Sequence, residues 1–372
     1  IEPDAADEIN ERFDAYVIPL ANAFRLQYQA ALVRTTELVR RLRIPVVVLG
    51  VGAQGTVDHG WDAIKPIEGA VKDFVSAVLD RSPTIGVRGE ATHEYLNALG
   101  FRDVDVIGCP SMFRWGDTIE VKRKAATLDA QSNIAITISP YRTAMGNIAM
   151  AAHARYPKLT YFAQDLPTLG LMLDGTPLPS GTPDSLLPVH PSHPFFREDR
   201  TRFYVDPWPW IDDLRDFDFS FGTRIHGTIA ALLAGTPAVV LAHDSRTLEL
   251  ARHFDIPHRL LRDVPPDLDP ADLHAEADLT ALHAGHAKRF ATIVEYLARN
   301  GLDHVFAHDG AAADFERRIQ ETDYPGSVQQ WWPEGGPSPA RLTARRLRRL
   351  ARRAVTRLRG GRSRPRDGAW GR

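Results

Sequence analysis

Short, unbroken apolar runs recur along this chain, and helical spacing separates them. Residues 44–49 and Ala238–Ala242 are the clearest runs. Fully apolar runs of this length are the pattern of strands buried on both faces of a parallel sheet. Within residues 27–42, Leu32, Thr35, Leu38, Val39 and Leu42 fall near helical spacing, as do Val71, Phe74, Val75 and Val78 within 67–80. The pattern predicts further strands at 85–88, 104–107, 134–139, 159–163, 202–205 and 217–221, and helices at 91–99, 143–155 and 246–254. Leu279, Leu282, His286, Phe290, Ile293 and Leu297 share one helical face, which Asn300 and Gly301 end. Strand and helix alternate throughout, which predicts an α/β protein with parallel sheets covered on both faces. Residues 1–15 read as acidic and irregular, and 171–198 as a long loop rich in Pro, Gly and Ser.

A chain of 372 residues has room for about two domains. Residues 122–131 are polar and lack a core pattern, which sets the expected division. The first domain spans 1–125, the second 126–324, and a linker with a tail occupies 325–372. The chain starts at Ile1 without a signal-peptide pattern, and the first domain is expected to lack its start. Apolar content of 44% and charge of 25% describe an ordinary globular protein. No apolar run approaches the ~20 residues that span a bilayer, so a cytoplasmic location is expected. The single cysteine, Cys109, excludes a disulfide framework and a thiolate metal cluster. Charge is uneven. Residues 341–372 hold thirteen Arg and one Asp, a net of +12 in a chain whose total is −2. Leu347, Leu350, Ala354 and Leu358 fall on one helical face of this tail. That layout predicts a basic helix in peripheral contact with an anionic membrane. The plainer reading is a solvated basic tail that serves solubility or binds RNA without specificity; no specific nucleic-acid partner is expected.

The chemistry concentrates in residues 221–241. A strand end, Gly222 and Thr223 lead into a short apolar helix, Gly235 ends it, and Pro237 opens another strand. Thr223 is placed to cap the helix. Arg224 and His226 then sit at a helix N-terminus beyond the carboxyl end of a strand, where open α/β sheets bind ligands and the dipole favours an anion. An Arg clamps phosphate or carboxylate, and a His exchanges a proton near neutral pH. The plainer reading is a helix start whose Arg and His only solvate it. Arg88 ends another strand in the same way, with Gly89 and Glu90 beside it. His243 and Asp244 follow the strand Ala238–Ala242 and are placed to flank the same cleft.

Gly50-Val51-Gly52-Ala53-Gln54-Gly55 has G-x-G-x-x-G spacing after a strand. No helix opens directly after it, which argues against a dinucleotide site. A glycine loop at which Gly52 lets the backbone approach a ligand fits better. His190 and His193 have metal-like spacing, but no carboxylate or thiol completes a set, so no metal is expected. Cys109, in Gly-Cys-Pro-Ser, reads as a small buried residue. Neither a Gly-x-Ser-x-Gly elbow nor a Walker loop is present.

These blocks, in this order, resemble the polysaccharide pyruvyl transferase family. Residues 218–244 look like its Arg-x-His signature, 85–113 like its second block, and 49–55 like its glycine turn. The resemblance covers about residues 16–300. It departs from the family in two places. Gly89 and Glu90 stand where the family commonly has Asp after the Arg, and the family's Gly-Asp-rich start is missing.

The resemblance implies two Rossmann-like domains in a glycosyltransferase-B-like fold, the first incomplete, with the site between them. It implies phosphoenolpyruvate as donor and no further cofactor. The implied acceptor is a sugar of an envelope polysaccharide or its lipid-linked precursor, and the product a pyruvate ketal. Arg224, His226, Arg88, Gly52 and Thr223 are the implied donor-binding residues. On chemical grounds His226 and Arg224 are the expected catalytic residues, Glu90 or Asp244 is expected to take the second acid–base role, and His243 is a further cleft candidate. A glycosyltransferase of the same fold that uses a nucleotide sugar, and a non-catalytic scaffold for glycan assembly, are the alternatives.

Overall fold

The structure is a computed structural model that describes residues 2–330 apart from 59, 180 and 309. The basic helix expected within 341–372 and most of the 325–339 linker lie outside the described residues.

The described strands are β1 (Tyr16–Ile18), β2 (Val46–Val48), β3 (Ile85–Val87), β4 (Val104–Val106), β5 (Ile134–Thr137), β6 (Thr160–Ala163), β7 (Thr201–Phe203), β8 (Phe219–Gly222), β9 (Ala238–Ala242) and β10 (His258–Leu260). The helices are α1 (Ala6–Arg12), α2 (Gln29–Arg41), α3 (Glu68–Leu79), α4 (Glu90–Ala98), α5 (Ala144–Arg155), α6 (Leu166–Asp174), α7 (Pro194–Arg197), α8 (Pro207–Leu214), α9 (Ile225–Leu233), α10 (Ser245–His253), α11 (Pro270–Glu276), α12 (Thr280–Arg299) and α13 (Ala311–Glu321).

β5 to β10 form one parallel sheet of order β10-β9-β8-β5-β6-β7. In the first unit β1 pairs with β2 and β3 with β4, also parallel. The two pairs adjoin through a bridge between Val51 and Val87. Every residue of β2 and of β9 is buried, as unbroken apolar runs require. Each Val or Leu so buried contributes roughly 1.5–3 kcal/mol. Loops after β2, β3 and β4 meet loops after β8 and β9, so the two units face each other at their strand carboxyl ends. This is the glycosyltransferase-B-like arrangement of an α/β protein.

A third apolar cluster joins the units, uniting Val47, Ile107 and Phe113 with Ala135, Val240, Phe254 and Tyr296. α12 also crosses back to the first sheet. Its Tyr296 hydroxyl donates to Val48 O at 2.7 Å and accepts from Gly86 N at 3.0 Å.

Residues 1–15 are less irregular than expected, because α1 lies within them. The loop expected over 171–198 is shortened by the end of α6 and by α7, and α8 and α11 carry no periodic signal. Proline misleads here. Asp165, Asp206 and Asp269 each cap a helix through the side chain, with Pro in its first turn. An Asp cap followed by Pro starts a helix rather than breaking one.

Candidate active site

The turn from β8 to α9 is fixed by its glycine. Gly222 has φ +142, and a Cβ there would stand 2.0 Å from the Thr137 carbonyl oxygen. Thr223 does not cap α9, which corrects the sequence expectation. Its hydroxyl instead accepts the Ser139 amide at 2.8 Å and ties β8 to the loop after β5. Arg224 is the N-cap residue, without a side-chain cap bond. The first amides of α9 are therefore left for a ligand or water. Residues 227–233 of α9 are all buried, so the helix is held by its apolar sequence.

Arg224 is half-buried and donates to Asp165 Oδ2 at 3.1 Å. The other oxygen of Asp165 accepts the Thr168 amide at 3.0 Å, so the α6 cap positions the arginine. Arg224 Nε has no hydrogen-bond partner, and neither do the buried hydroxyls of Ser139 and Thr228 close to the same turn.

His226, one helical residue on, meets the first unit. Its Nε2 lies 3.8 Å from Cys109 Sγ, which follows β4. Arg88 reaches the same sulfur at 3.9 Å, and its Nε donates to Gly50 O at 2.7 Å. Burial pushes the Cys109 thiol up. The bond to His226, the charge of Arg88, the electrostatic influence of His226 and the Ser111 bond outweigh it and bring the thiol down to about 6. Burial also lowers Arg88 from its ordinary value, against the opposing pull of Cys109 and Glu249. Cys109 is thus more than the small buried residue expected from sequence.

His243 lies past β9 with its side chain only 5% exposed; its Nε2 stands 3.6 Å from Asp244 Oδ2, and neither ring nitrogen makes a hydrogen bond among the described residues. Burial first, against the pull of Asp244, and then the charges of Arg142, Arg246 and Arg224 hold it down to about 4, so it is neutral at pH 7. Asp244 caps α10, accepting the Thr247 amide at 3.0 Å, and pairs with Arg246. Asn22, oriented with its oxygen toward the cations, accepts from Arg246 at 2.6 Å and from Arg25 at 3.2 Å. Arg142 makes no side-chain hydrogen bond among the described residues, and its Nε is buried. The cleft is therefore rich in guanidinium groups that carboxylates only partly offset.

Gly52 packs against protein, not open space. A Cβ there would stand 3.1 Å from Arg88 Cδ and 3.3 Å from Glu249 Oε1. Glu90 opens α4 and is exposed, and its carboxylate bonds none of Arg88, Arg224 or His226 among the described residues. Glu249, which sequence reasoning missed, reaches the Arg88 region from α10. It accepts the Thr92 amide at 3.0 Å across the interface between units. Burial raises its carboxyl to about 7 despite the bonds from Thr92 and the charges of Arg88 and Arg246. Ser245 makes a second link, accepting the Gly55 amide at 2.8 Å and donating to Ala53 O at 3.0 Å. His190 and His193 bond Ser192 and the local backbone.

A family model described as polysaccharide pyruvyl transferase matches residues 22–245. The chain belongs to the polysaccharide pyruvyl transferase family. It is thereby a member of a transferase family. The matched span includes Arg88, Cys109, Asp165, Arg224, His226 and Asp244, and ends before Glu249. No curated protein matches the chain. Among solved structures it is similar to Methanocaldococcus jannaschii UDP-GlcNAc 2-epimerase, with 11% identity over 79% of this chain and 78% of that one, at TM-score 0.43. It is also similar to a putative UDP-N-acetylglucosamine 2-epimerase from Listeria monocytogenes, with 13% identity over 88% and 80%, at TM-score 0.39. The glycotransferase of kitacinnamycin gives 14% identity over 85% and 78%, at TM-score 0.34. These likenesses are loose.

Asp165, Glu249, Ser245 and Arg142 carry no motif. Asp165 was legible only as the start of an Asp-x-Pro cap. Among the described residues no helix is long and apolar enough to cross a membrane.

Proposed function

We propose that this transferase moves pyruvate from phosphoenolpyruvate onto two hydroxyls of one sugar in an envelope polysaccharide or its precursor. The observation that carries the reading is the meeting of His226, two residues past Arg224 at the start of α9, with Cys109 from the other unit, whose sulfur Arg88 also reaches. Phosphoenolpyruvate holds a phosphate and a carboxylate close together. Arg224, the uncapped start of α9 and the surrounding guanidinium groups match that charge.

The reaction protonates the methylene carbon of the donor, which makes C2 electrophilic. One hydroxyl adds at C2, the C–O bond to phosphate breaks, and the second hydroxyl closes the ketal. One hydroxyl proton ends on the new methyl group and the other on the released phosphate. His226 is the proposed proton carrier, since it alone of the group is a partly exposed imidazole. Asp244 is committed to Thr247 and Arg246, so Glu90 is the proposed second carrier. The basic tail is proposed to hold the cleft near a lipid-linked acceptor at the cytoplasmic face. Deleting 341–372 then removes binding to anionic liposomes and spares activity on a soluble acceptor; equal liposome binding refutes the tether.

Ligand-dependent melting tests the donor. Phosphoenolpyruvate is expected to raise Tm, and a panel of nucleotide sugars to leave it unchanged. Stabilisation by a nucleotide sugar alone would overturn the pyruvyl reading.

A further inference from the structure

Beside His226 lies a cavity of about 510 Å³ whose character differs from the rest of the cleft. Its walls combine the rings of Phe113, Trp208, Trp210, Phe306 and Phe315 with aliphatic side chains such as Ile211, Ile229 and Leu233. His226 and Ser111 also line it, whereas Arg88, Cys109 and Arg224 do not. Its one cationic side chain is Arg114, which is paired with Glu316 through both carboxylate oxygens. An anionic donor gains little here. A neutral, amphipathic group gains much, because aromatic faces pack against apolar C–H faces while edge polar groups hydrogen-bond.

Those polar groups are present. Ser111 lines the cavity 3.4 Å from Cys109 Sγ, and its oxygen keeps acceptor capacity. Glu316 keeps acceptor capacity, with its side chain 32% exposed. α13 supplies Phe315 and Glu316 as one wall, and the Arg114–Glu316 pair pins it to the loop after β4.

We propose that this cavity is the acceptor subsite, and that it binds a pyranose ring against Trp208 and Trp210. The proposal rests on the pyruvyl-transfer reading only in calling that sugar the acceptor. His226 is the one member of the Arg224–His226–Arg88–Cys109 group that lines the cavity, so it divides an anion side from a sugar side. The class of ligand follows from the walls. An alkyl chain would take water away from Ser111 and Glu316 without replacing its hydrogen bonds, and a second phosphate would face a neutralised arginine.

The test is saturation-transfer NMR on the full chain with methyl pyranosides of glucose, galactose, mannose and N-acetylglucosamine. At least one is expected to receive saturation. Trp208→Ala is expected to weaken that binding at least ~5-fold, the loss that separates an energetically significant contact residue from a neutral one. Trp210→Phe keeps a ring and removes the N–H, and a smaller loss is expected. Phe306→Ala, at an already exposed position, serves as a third variant should Trp208→Ala fail to fold. Phosphoenolpyruvate is expected to raise Tm equally in all variants. No saturation transfer to any pyranoside, or undiminished transfer in the folded aromatic variants, overturns the subsite. Sugar binding without a phosphoenolpyruvate response leaves the subsite standing and refutes the donor instead.

Discussion

Arg88 and Arg224 occupy the same sequence setting, just past a buried strand and just before a helix, yet the fold treats them differently. Arg88 is 5% exposed, and its guanidinium is spent on a backbone carbonyl and a sulfur, with Glu249 as a nearby counter-charge. Arg224 holds one carboxylate and leaves Nε unpaired at a half-open helix start. Burial is what separates them. A desolvated cation sets the local potential and holds neighbours in place, while a half-exposed one can trade a partner for a ligand.

The largest expected effect concerns the residue between the two arginines. His226→Ala is expected to lower turnover ~10²–10⁴-fold, the usual worth of a proton carrier, with phosphoenolpyruvate binding retained. Steady-state rates beside ligand-dependent melting check this, and normal turnover refutes the role.

The arginines themselves come next. Arg224→Ala is expected to weaken phosphoenolpyruvate binding by roughly 30-fold or more, as when one side of a buried charge contact is removed. Its cost in stability is about 0–1 kcal/mol, since the pair with Asp165 is partly exposed. Arg88→Ala is expected to reverse the balance, with a loss of about 3 kcal/mol in denaturant unfolding because buried partners are left uncompensated. If Arg88→Ala unfolds like the wild type, the contrast fails.

A smaller effect reports the contact between the units. Because the chain has one cysteine, thiolate ultraviolet absorbance reads Cys109 directly. It is expected to rise through about pH 6, and His226→Ala is expected to move that rise upward. The folded value lies below the ordinary thiol value of 9.0, so the native state binds fewer protons between the two. The stability it contributes is present above the unfolded value and lost as pH falls through about 6. A thiol that titrates at its ordinary value in the folded wild type excludes the interaction.

The smallest effect belongs to Glu249. Its folded value of about 7 lies above the ordinary 4.5, so the stability it contributes is present at low pH and lost as pH rises toward 7. His243, held down to about 4, has the opposite slope up to its ordinary 6.5. Glu249→Gln removes only the first slope. Tm is therefore expected to climb more steeply with pH from about 4.5 to 6.5 in the variant than in the wild type. Parallel profiles refute the assignment.

The sequence by itself determined eight of the ten described strands, all but β1 and β10, and the turn that begins the site. β9 spans the residues its apolar run predicts, and Gly222, Gly235 and Pro237 punctuate α9 as their backbone preferences require. These are local properties: period, φ and ring closure act within a few residues. The Arg-x-His block was legible for the same reason. Only the tertiary structure decided what each side chain meets. Cys109 and His226 are 117 residues apart, and Thr92 and Glu249 are 157 apart. No periodicity links such positions, because the parallel crossovers that bring them together fix strand order and not side-chain identity. Whether Arg88 is buried and Arg224 half-open follows from how the two units close on each other, and burial then sets their charge behaviour.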